Sequence, residues 1–139
     1  MKDPSLWKAV QEEAEAAFET NPDTGKRELD IQKMLALPLL QSVYIETLRL
    51  HVSVNITREV IAETTTMAGY QLPKHALVQA PTRIAHYDER AWGIDDHPAT
   101  EFWAFRNFKS SAVQQGGKDT QKSEFVMRAG PNDFFPYGK

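Results

Sequence analysis

The stretch 37–51 constrains the fold of this chain more than any other segment. Pro38 suits the first helical position, because its fixed φ is helical and its missing N–H needs no partner there. Within the predicted helix 38–51, Glu46 and Arg49 stand three residues apart and therefore lie side by side on the helix surface. An exposed pair of this kind contributes only about 0.2–0.5 kcal/mol. Long apolar residues flank this pair, and an isolated buried charge is costly, so we expect a buried pair with a third partner.

Composition limits the class of protein. The chain has 139 residues, of which 41% are hydrophobic and 25% charged, which suits one modest globular domain. Its 16 basic and 19 acidic residues give a net charge of −3 without a basic run, which argues against a nucleic-acid partner. No apolar run approaches the roughly 18 residues of a membrane helix, and residues 1–4 do not resemble a signal peptide, so no membrane segment is predicted within the chain.

Metal-binding chemistry finds little support among these residues. The chain contains no cysteine, so it can form neither a disulfide nor a thiolate metal site. The four histidines do not pair at i, i+4 or in another metal-ligand spacing. We therefore predict no metal site within the chain.

Periodicity and turn residues divide the first part of the chain into helices. Asp3 before Pro4 predicts a helix over 3–20, with an apolar face and an acidic, solvated face, and the turn formers in 21–25 end it. Asp30 can cap a short helical turn before the helix 38–51 begins. On that helix, Leu40, Val43, Thr47 and Leu50 recur at helical spacing.

After position 51 the pattern changes to that of strands. Alternation from Val52 to Ile56 predicts a strand, and two further β-prone runs, 64–67 and 76–80, predict a pair of strands with irregular turns between them. Strands are therefore expected over about 52–80, with a helical turn from Pro81. Residues 88–139 mix turn formers with aromatics, which predicts an irregular aromatic-rich meander with an exposed loop over 114–123. The fold class is α+β, mainly helical with a small β-sheet. Apolar residues so near the end need a cover, so we expect 1–139 to be one incomplete segment of a larger domain.

Six motifs, taken in order, resemble the cytochrome P-450 superfamily of haem-thiolate monooxygenases. They are the Glu-x-x-Arg helix at 46–51, Arg58, the strand turn 69–74, the stretch 85–89 with 92–93, the segment 101–106, and the opening of a haem-binding loop at 134–138. His75, Ala104, Phe105 and Asn107 depart from the family's patterns. Counted from Phe135, the thiolate cysteine would lie three positions beyond Lys139, so the chain resembles an excised internal segment of the family's fold.

The resemblance implies a structural network and a cofactor site. Glu46, Arg49 and Arg106 would form a buried charge network that locks the helix to the meander; the alternative is a surface pair with an unrelated arginine. Arg58 would donate to a haem carboxylate, or else lie in solvent at a strand edge. The remaining positions implied are, for the cofactor, Phe135 and Gly138, and for the substrate pocket, Val52, Val54 and Ile56. No catalytic residue is implied within the chain.

The resemblance also implies an activity for the full-length protein. It would bind haem (heme, iron protoporphyrin IX) through a cysteine thiolate and insert one oxygen atom from O₂ into a small lipophilic substrate. NAD(P)H would supply electrons through a reductase partner, and the family suggests the endoplasmic-reticulum membrane as its location. The alternatives are a haem-thiolate isomerase or dehydratase of the same fold, or a non-catalytic remnant that acts as an interaction module. The chain alone, without a cysteine, is expected to be inactive.

Overall fold

The structure is a computed structural model that describes residues 3–94, 96–115 and 118–137, without the side chains of 112–115 and 118–121. Within these residues the chain forms five helices and eight strands. In order they are α1 (Pro4–Glu15), β1 (Phe18–Thr20), β2 (Arg27–Leu29), α2 (Ile31–Leu35), α3 (Pro38–His51), β3 (Asn55–Glu59), β4 (Thr64–Met67), β5 (Tyr70–Pro73), β6 (Leu77–Pro81), α4 (Thr82–His86), α5 (Glu89–Trp92), β7 (Phe108–Gln115) and β8 (Lys118–Phe125). The α+β class is confirmed, although strands hold about as many residues as helices.

Helix α1 is shorter than the predicted helix 3–20. Asp3 caps its first turn as expected, by accepting from the N–H groups of Ser5 and Leu6. The helix ends at Glu15, and residues 18–20 instead pair with β2 in an antiparallel hairpin. The side chain of Asn21 accepts from two backbone N–H groups of the intervening turn. The last residues of the predicted helix therefore form a strand, because the turn at Asn21 brings them next to β2.

Helix α3 has the predicted bounds, but a distant residue caps it. Leu37 at its N-cap has no side chain that could accept a hydrogen bond. The carboxylate of Glu13, on α1, accepts instead from the N–H groups of Leu39 and Leu40, each at 2.9 Å. A carboxylate at a helix N-terminus accepts from backbone N–H groups that have no partner within the helix, and its negative charge interacts favourably with the helix dipole. Glu13 thus fixes α1 against the start of α3.

The strands do not form the single small sheet that the sequence suggested. The described strands make four separate antiparallel pairs, β1–β2, β3–β6, β4–β5 and β7–β8. The first strand after α3 begins at Asn55 and not at Val52, because the Val52 N–H still donates to Leu48 O at 2.9 Å and closes the helix. The runs 64–67 and 76–80 are expected to pair with each other, but they belong to different strand pairs. β4 pairs with β5 through a two-residue turn, while β6 pairs with β3.

Two residues with side chains adopt left-handed backbone conformations in this region. Ala68, in the β4–β5 turn, has φ 50° and precedes Gly69 at φ 85°. His75, which stands where the resembled pattern has glycine, has φ 67°. Its ring lies 2.6 Å from the Glu59 carboxylate, a contact that glycine could not make.

The predicted meander contains a long regular hairpin. β7 and β8 pair from Phe108 opposite Phe125 to Gln115 opposite Lys118, across most of the stretch predicted as an exposed loop. Polar residues dominate that stretch, which is why its sequence indicated a loop. The other described residues of 88–137 are irregular apart from α5 and an isolated bridge.

The buried centre of the described structure is unusually polar. A small apolar cluster of Leu6, Leu39 and Ala104 joins α1 and α3 to the 101–107 segment. The buried face of α3 is formed by Leu39, Ser42, Glu46 and Arg49, one position away from the apolar repeat at 40, 43, 47 and 50. No helix among the described residues is long and apolar enough to cross a membrane.

Candidate functional site

The site is built around the carboxylate of Glu46. On helix α3, Arg49 Nε donates to Glu46 Oε2 at 2.8 Å and Arg49 Nη2 donates to Oε1 at 2.7 Å. Both side chains are completely buried. The i, i+3 spacing therefore produces a bidentate pair, the stronger form of arginine–carboxylate contact.

Arg106 supplies the third charged partner. Its Nε donates to Glu46 Oε1 at 2.9 Å, and its side chain is also fully buried. The Trp103 N–H donates to the same oxygen at 3.1 Å. The structure thus brings together the three residues implied as a network, and it attaches α3 to the segment that contains Trp103 and Arg106.

The other donors of the two guanidinium groups bond backbone carbonyl oxygens. The acceptors for Arg49 belong to His86, Ala99 and Glu101, and those for Arg106 belong to Trp92, His97, Pro98 and Glu101. Most of these carbonyls lie outside regular helix or strand, where a buried acceptor needs another donor. The guanidinium groups therefore provide these carbonyls with the hydrogen-bond donors that backbone N–H groups provide in helices and strands.

The protonation state of Glu46 follows from this environment. Burial, the largest single effect, raises the pKa of its carboxyl group, but hydrogen bonds from Arg49, the Trp103 N–H and Arg106, together with the positive charge of Arg49, outweigh it. The pKa of Glu46 consequently lies below its ordinary value. The carboxylate stays charged between two guanidinium groups, and the excess positive charge faces carbonyl oxygens.

Glu89 and Gly93 support the carbonyls around the network. The Glu89 carboxylate accepts from the Ala99 N–H at 2.8 Å and so orients the 97–101 turn. A Cβ atom at Gly93 would overlap the Glu89 side chain and lie 2.6 Å from its carbonyl oxygen. No local signal in the sequence marks the contact of Glu89, because the Ala99 N–H lies ten residues further along the chain in an irregular turn.

Asn107, which departs from the resembled motif, makes hydrogen bonds to two other parts of the fold. The Asn107 N–H donates to Ser42 Oγ on α3 at 3.0 Å, and its side-chain oxygen accepts from the Arg128 N–H at 3.0 Å. Its carbonyl accepts from the Val126 N–H at 2.9 Å. Asn107 therefore joins the end of the β7–β8 hairpin to the polar face of α3.

An apolar cleft of about 570 Å³ lies between the β3–β6 pair and the segment 131–137. Its lining residues are Ile56, Arg58, Ala80, Pro131, Asn132, Phe134, Phe135, Pro136 and Tyr137. The structure thus places Arg58 and Phe135, implied for the cofactor, in one cleft with Ile56, implied for the substrate pocket. Val52 and Val54 are not among the lining residues, and Gly138 lies outside the described residues.

Arg58 is the only charged side chain among these described lining residues. It is exposed, and its Nη1 donates to the Thr57 carbonyl at 3.0 Å. Apolar and aromatic walls suit the faces of a porphyrin, and a guanidinium at their margin suits a carboxylate. The lining residues include no cysteine, histidine or methionine, and the hydroxyl of Tyr137 is already paired with Tyr44. They fit the ring and one carboxylate of a haem, while the axial ligand is not among them.

The wall formed by 134–137 is held from behind by three side chains. The fully buried ring of His86 lies 5.4 Å from the Phe134 ring and 5.8 Å from the Phe135 ring, centroid to centroid. The buried Trp92 ring meets Phe134 edge to face at 5.8 Å. Tyr44 Oη and Tyr137 Oη are 2.7 Å apart. The four histidines show no metal-ligand spacing in the sequence. No local signal marks His86 either, because the Phe135 N–H that its ring accepts from lies 49 residues further along the chain.

Comparison with known proteins gives the chain its family. The family model described as cytochrome P-450 matches residues 1–100. The chain is 48% identical over 136 residues to the cytochrome P-450 monooxygenase calL of Penicillium decumbens, an alignment that covers 98% of this chain and 24% of that protein. It is 29% identical over 156 residues to the cytochrome P-450 monooxygenase efuG of Hormonema carpetanum, covering 99% of this chain and 28% of that protein.

A third relative is the cytochrome P-450 monooxygenase fsoE of Humicola fuscoatra, which is 32% identical over 117 residues, or 76% of this chain and 19% of that protein. The chain spans about a quarter of the length of the first two relatives. The family model covers well over half of the chain, and the relatives carry the same family name. The chain therefore belongs to the cytochrome P-450 family.

Proposed function

We propose that the protein to which these residues belong is a haem-thiolate monooxygenase that inserts one oxygen atom from O₂ into a small lipophilic substrate. The observation that carries this proposal is the apolar cleft in which Arg58 is the only charged described side chain. When bound through a cysteine thiolate, haem supplies the electron donation that favours O–O cleavage. The three relatives are all named as cytochrome P-450 monooxygenases, which supports the same reaction class.

The residues of this chain would bind and orient the cofactor in that protein. Arg58 would donate charge-assisted hydrogen bonds to a haem carboxylate, which suits its planar fork. Phe135 would pack on the ring, and Ile56 would keep water from the apolar side of the cleft. The Glu46, Arg49 and Arg106 network would hold α3 and the 97–106 segment in register behind them.

The wider assembly follows from the family. Electrons would come from NAD(P)H through a reductase, which would be a partner protein. We place the full-length protein at the endoplasmic-reticulum membrane on the same ground. The proposal also holds that residues 1–139 alone are inactive, since they include no cysteine that could become the thiolate ligand.

Carbon monoxide difference spectra test the proposal. The chain 1–139 and a chain extended through the next in-frame cysteine are expressed, loaded with haem and reduced with dithionite. We expect the thiolate-type red-shifted band only from the extended chain. That band from residues 1–139 would contradict the assignment of the ligand, and its absence from both chains would contradict haem-thiolate function.

A second measurement separates the monooxygenase from an isomerase or dehydratase. The extended protein is incubated with a reductase, NADPH, labelled O₂ and a panel of lipophilic compounds. A monooxygenase places one labelled oxygen atom in the product and needs the reductase. Turnover without the reductase and without label would favour the isomerase or dehydratase.

A further inference from the structure

His86 links the buried charge network to the wall of the cleft. Its backbone carbonyl accepts from Arg49 Nη1 at 2.7 Å, at the end of α4. Its ring is fully buried, and Nε2 accepts from the Phe135 N–H at 3.3 Å. The same ring packs against the rings of Phe134 and Phe135. One residue therefore contacts Arg49 on one side and the cleft wall on the other.

We infer that His86 is a positioning residue, whose neutral ring fixes the backbone at Phe135 and thereby the wall of the cofactor cleft. The inference deepens the proposed function and rests on it for the identity of the cofactor. The hydrogen bond itself belongs to this chain and requires no cofactor.

The direction of the hydrogen bond determines the tautomer. Because the Phe135 N–H donates, Nε2 must present its lone pair, so the neutral ring carries its proton on Nδ1. A proton on Nε2 would set two donors against each other, and a ring protonated on both nitrogens would also place a cation beside Arg49. Burial lowers the pKa of His86, which outweighs the opposing influence of the nearby backbone of Val52 and Arg49. The surroundings thus favour the form that can accept the bond.

The competing explanation is that His86 merely fills space among aromatic rings. A phenylalanine would then serve equally well, since it keeps the aromatic contacts with Phe134 and Phe135. A glutamine, by contrast, keeps an acceptor without the aromatic ring. The two substitutions separate positioning by the hydrogen bond from packing.

Amide hydrogen exchange on the full chain provides the test. In the His86→Phe variant we expect the Phe135 amide to exchange about tenfold faster, the upper range for loss of one ordinary hydrogen bond. The Val126 amide, which donates to Asn107 O, should keep its protection. His86→Gln should restore part of the Phe135 protection. His51→Phe, at the exposed end of α3, is the matched control and should change neither amide.

The outcomes that overturn the inference are equally specific. Unchanged Phe135 protection in His86→Phe would show that the ring only fills space. If the variants fail to fold, the ¹⁵N resonances of the wild-type ring decide: an unprotonated Nε2 supports the inference, and a protonated Nε2 overturns it. No haem enters these measurements, so a failure of haem binding would overturn the proposed function and leave the role of His86 standing.

Discussion

Arg106 donates from Nε to Glu46 Oε1 at 2.9 Å, so one buried hydrogen bond joins two side chains that are 60 positions apart in the chain. Arg49 Nη2 and the Trp103 N–H donate to the same oxygen. One atom therefore connects helix α3 to the irregular segment that follows α5. Loss of a single donor leaves a buried charge less well paired, which is why substitutions here should have large effects.

Replacement of Arg49 should be strongly destabilising. In Arg49→Ala the Glu46 carboxylate remains buried with one cationic partner, and we expect the free energy of unfolding to fall by about 3–5 kcal/mol. Urea titration of the full chain measures the change. Arg90→Ala is the control, because that side chain is 91% exposed where it pairs with Asp88. A loss from Arg49→Ala no larger than that of the control would contradict the role of the network.

Glu13 should matter more than its neighbour Glu12. Glu13→Ala removes the acceptor for the N–H groups of Leu39 and Leu40 at the start of α3. Loss of such a cap costs about 0.5–2 kcal/mol. Glu12→Ala removes a side chain that is 68% exposed and pairs only loosely with Lys8, at 3.7 Å. Thermal unfolding of the two variants gives the comparison, and equal stabilities would show that Glu13 is no cap.

Stability should fall in two steps as the solution is acidified. The pKa of His86 is lowered from its ordinary value of 6.5, first by burial, so the unfolded chain takes up a proton below that pH while the folded chain resists it. Stability is therefore full above pH 6.5 and is lost as pH falls toward the folded-state pKa. The pKa of Glu46 is likewise lowered from its ordinary value of 4.5, because its hydrogen bonds and the charge of Arg49 outweigh the effect of burial. The free energy of unfolding that the charged Glu46 contributes is therefore lost below that pH.

Variants assign each step of this acid profile. His86→Phe should flatten the decline that begins below pH 6.5 and retain the later one, whereas Glu46→Gln should reduce the decline below 4.5. Urea titrations across the range supply the free energy of unfolding at each pH. A decline below pH 6.5 that is as steep in His86→Phe as in the wild type would contradict this assignment.

Arg58 should control how tightly haem is held. In the haem-loaded protein extended through its cysteine, Arg58→Ala removes a charge-assisted hydrogen bond worth roughly 1.5–3 kcal/mol, so haem should transfer to apomyoglobin about 10- to 100-fold faster. Far-ultraviolet circular dichroism should not change, because Arg58 is exposed. Arg83→Ala is a control outside the cleft, where the guanidinium lies 4.7 Å from the Tyr87 ring. Equal transfer rates for the two variants would exclude the carboxylate contact.

The β4–β5 turn offers a stabilising substitution. Ala68 has φ 50° directly before Gly69, and asparagine is favoured before glycine in two-residue hairpin turns of this kind. Ala68→Asn should raise the free energy of unfolding by roughly 0.5–1 kcal/mol, because asparagine tolerates the left-handed conformation. Ala68→Val should lower it, since a β-branched side chain is strained there. The order of the two melting temperatures checks the prediction.

The sequence by itself determined the elements whose signals are local. Pro38 and the apolar repeat set the bounds of α3, and Asp30 marked the start of α2. Glu46 and Arg49 lie on one face because three residues nearly complete a helical turn. Caps, helical spacing and turn formers act over a few residues, so they can be recognised without a partner. The ordered motifs also indicated the family, which the comparisons confirm.

Only the tertiary structure decided which partners these elements take. It buried Ser42, Glu46 and Arg49 on α3 while the apolar residues of the repeat stayed half-buried. It paired β6 with β3 where the sequence suggested β4. It also made Glu13 the cap of α3 and set His86 against Phe135. These contacts join residues far apart in the chain, and their free energy depends on burial and hydrogen bonding that exist only after the segments meet. A local period reports which residues share a face, but the surrounding fold determines what covers that face.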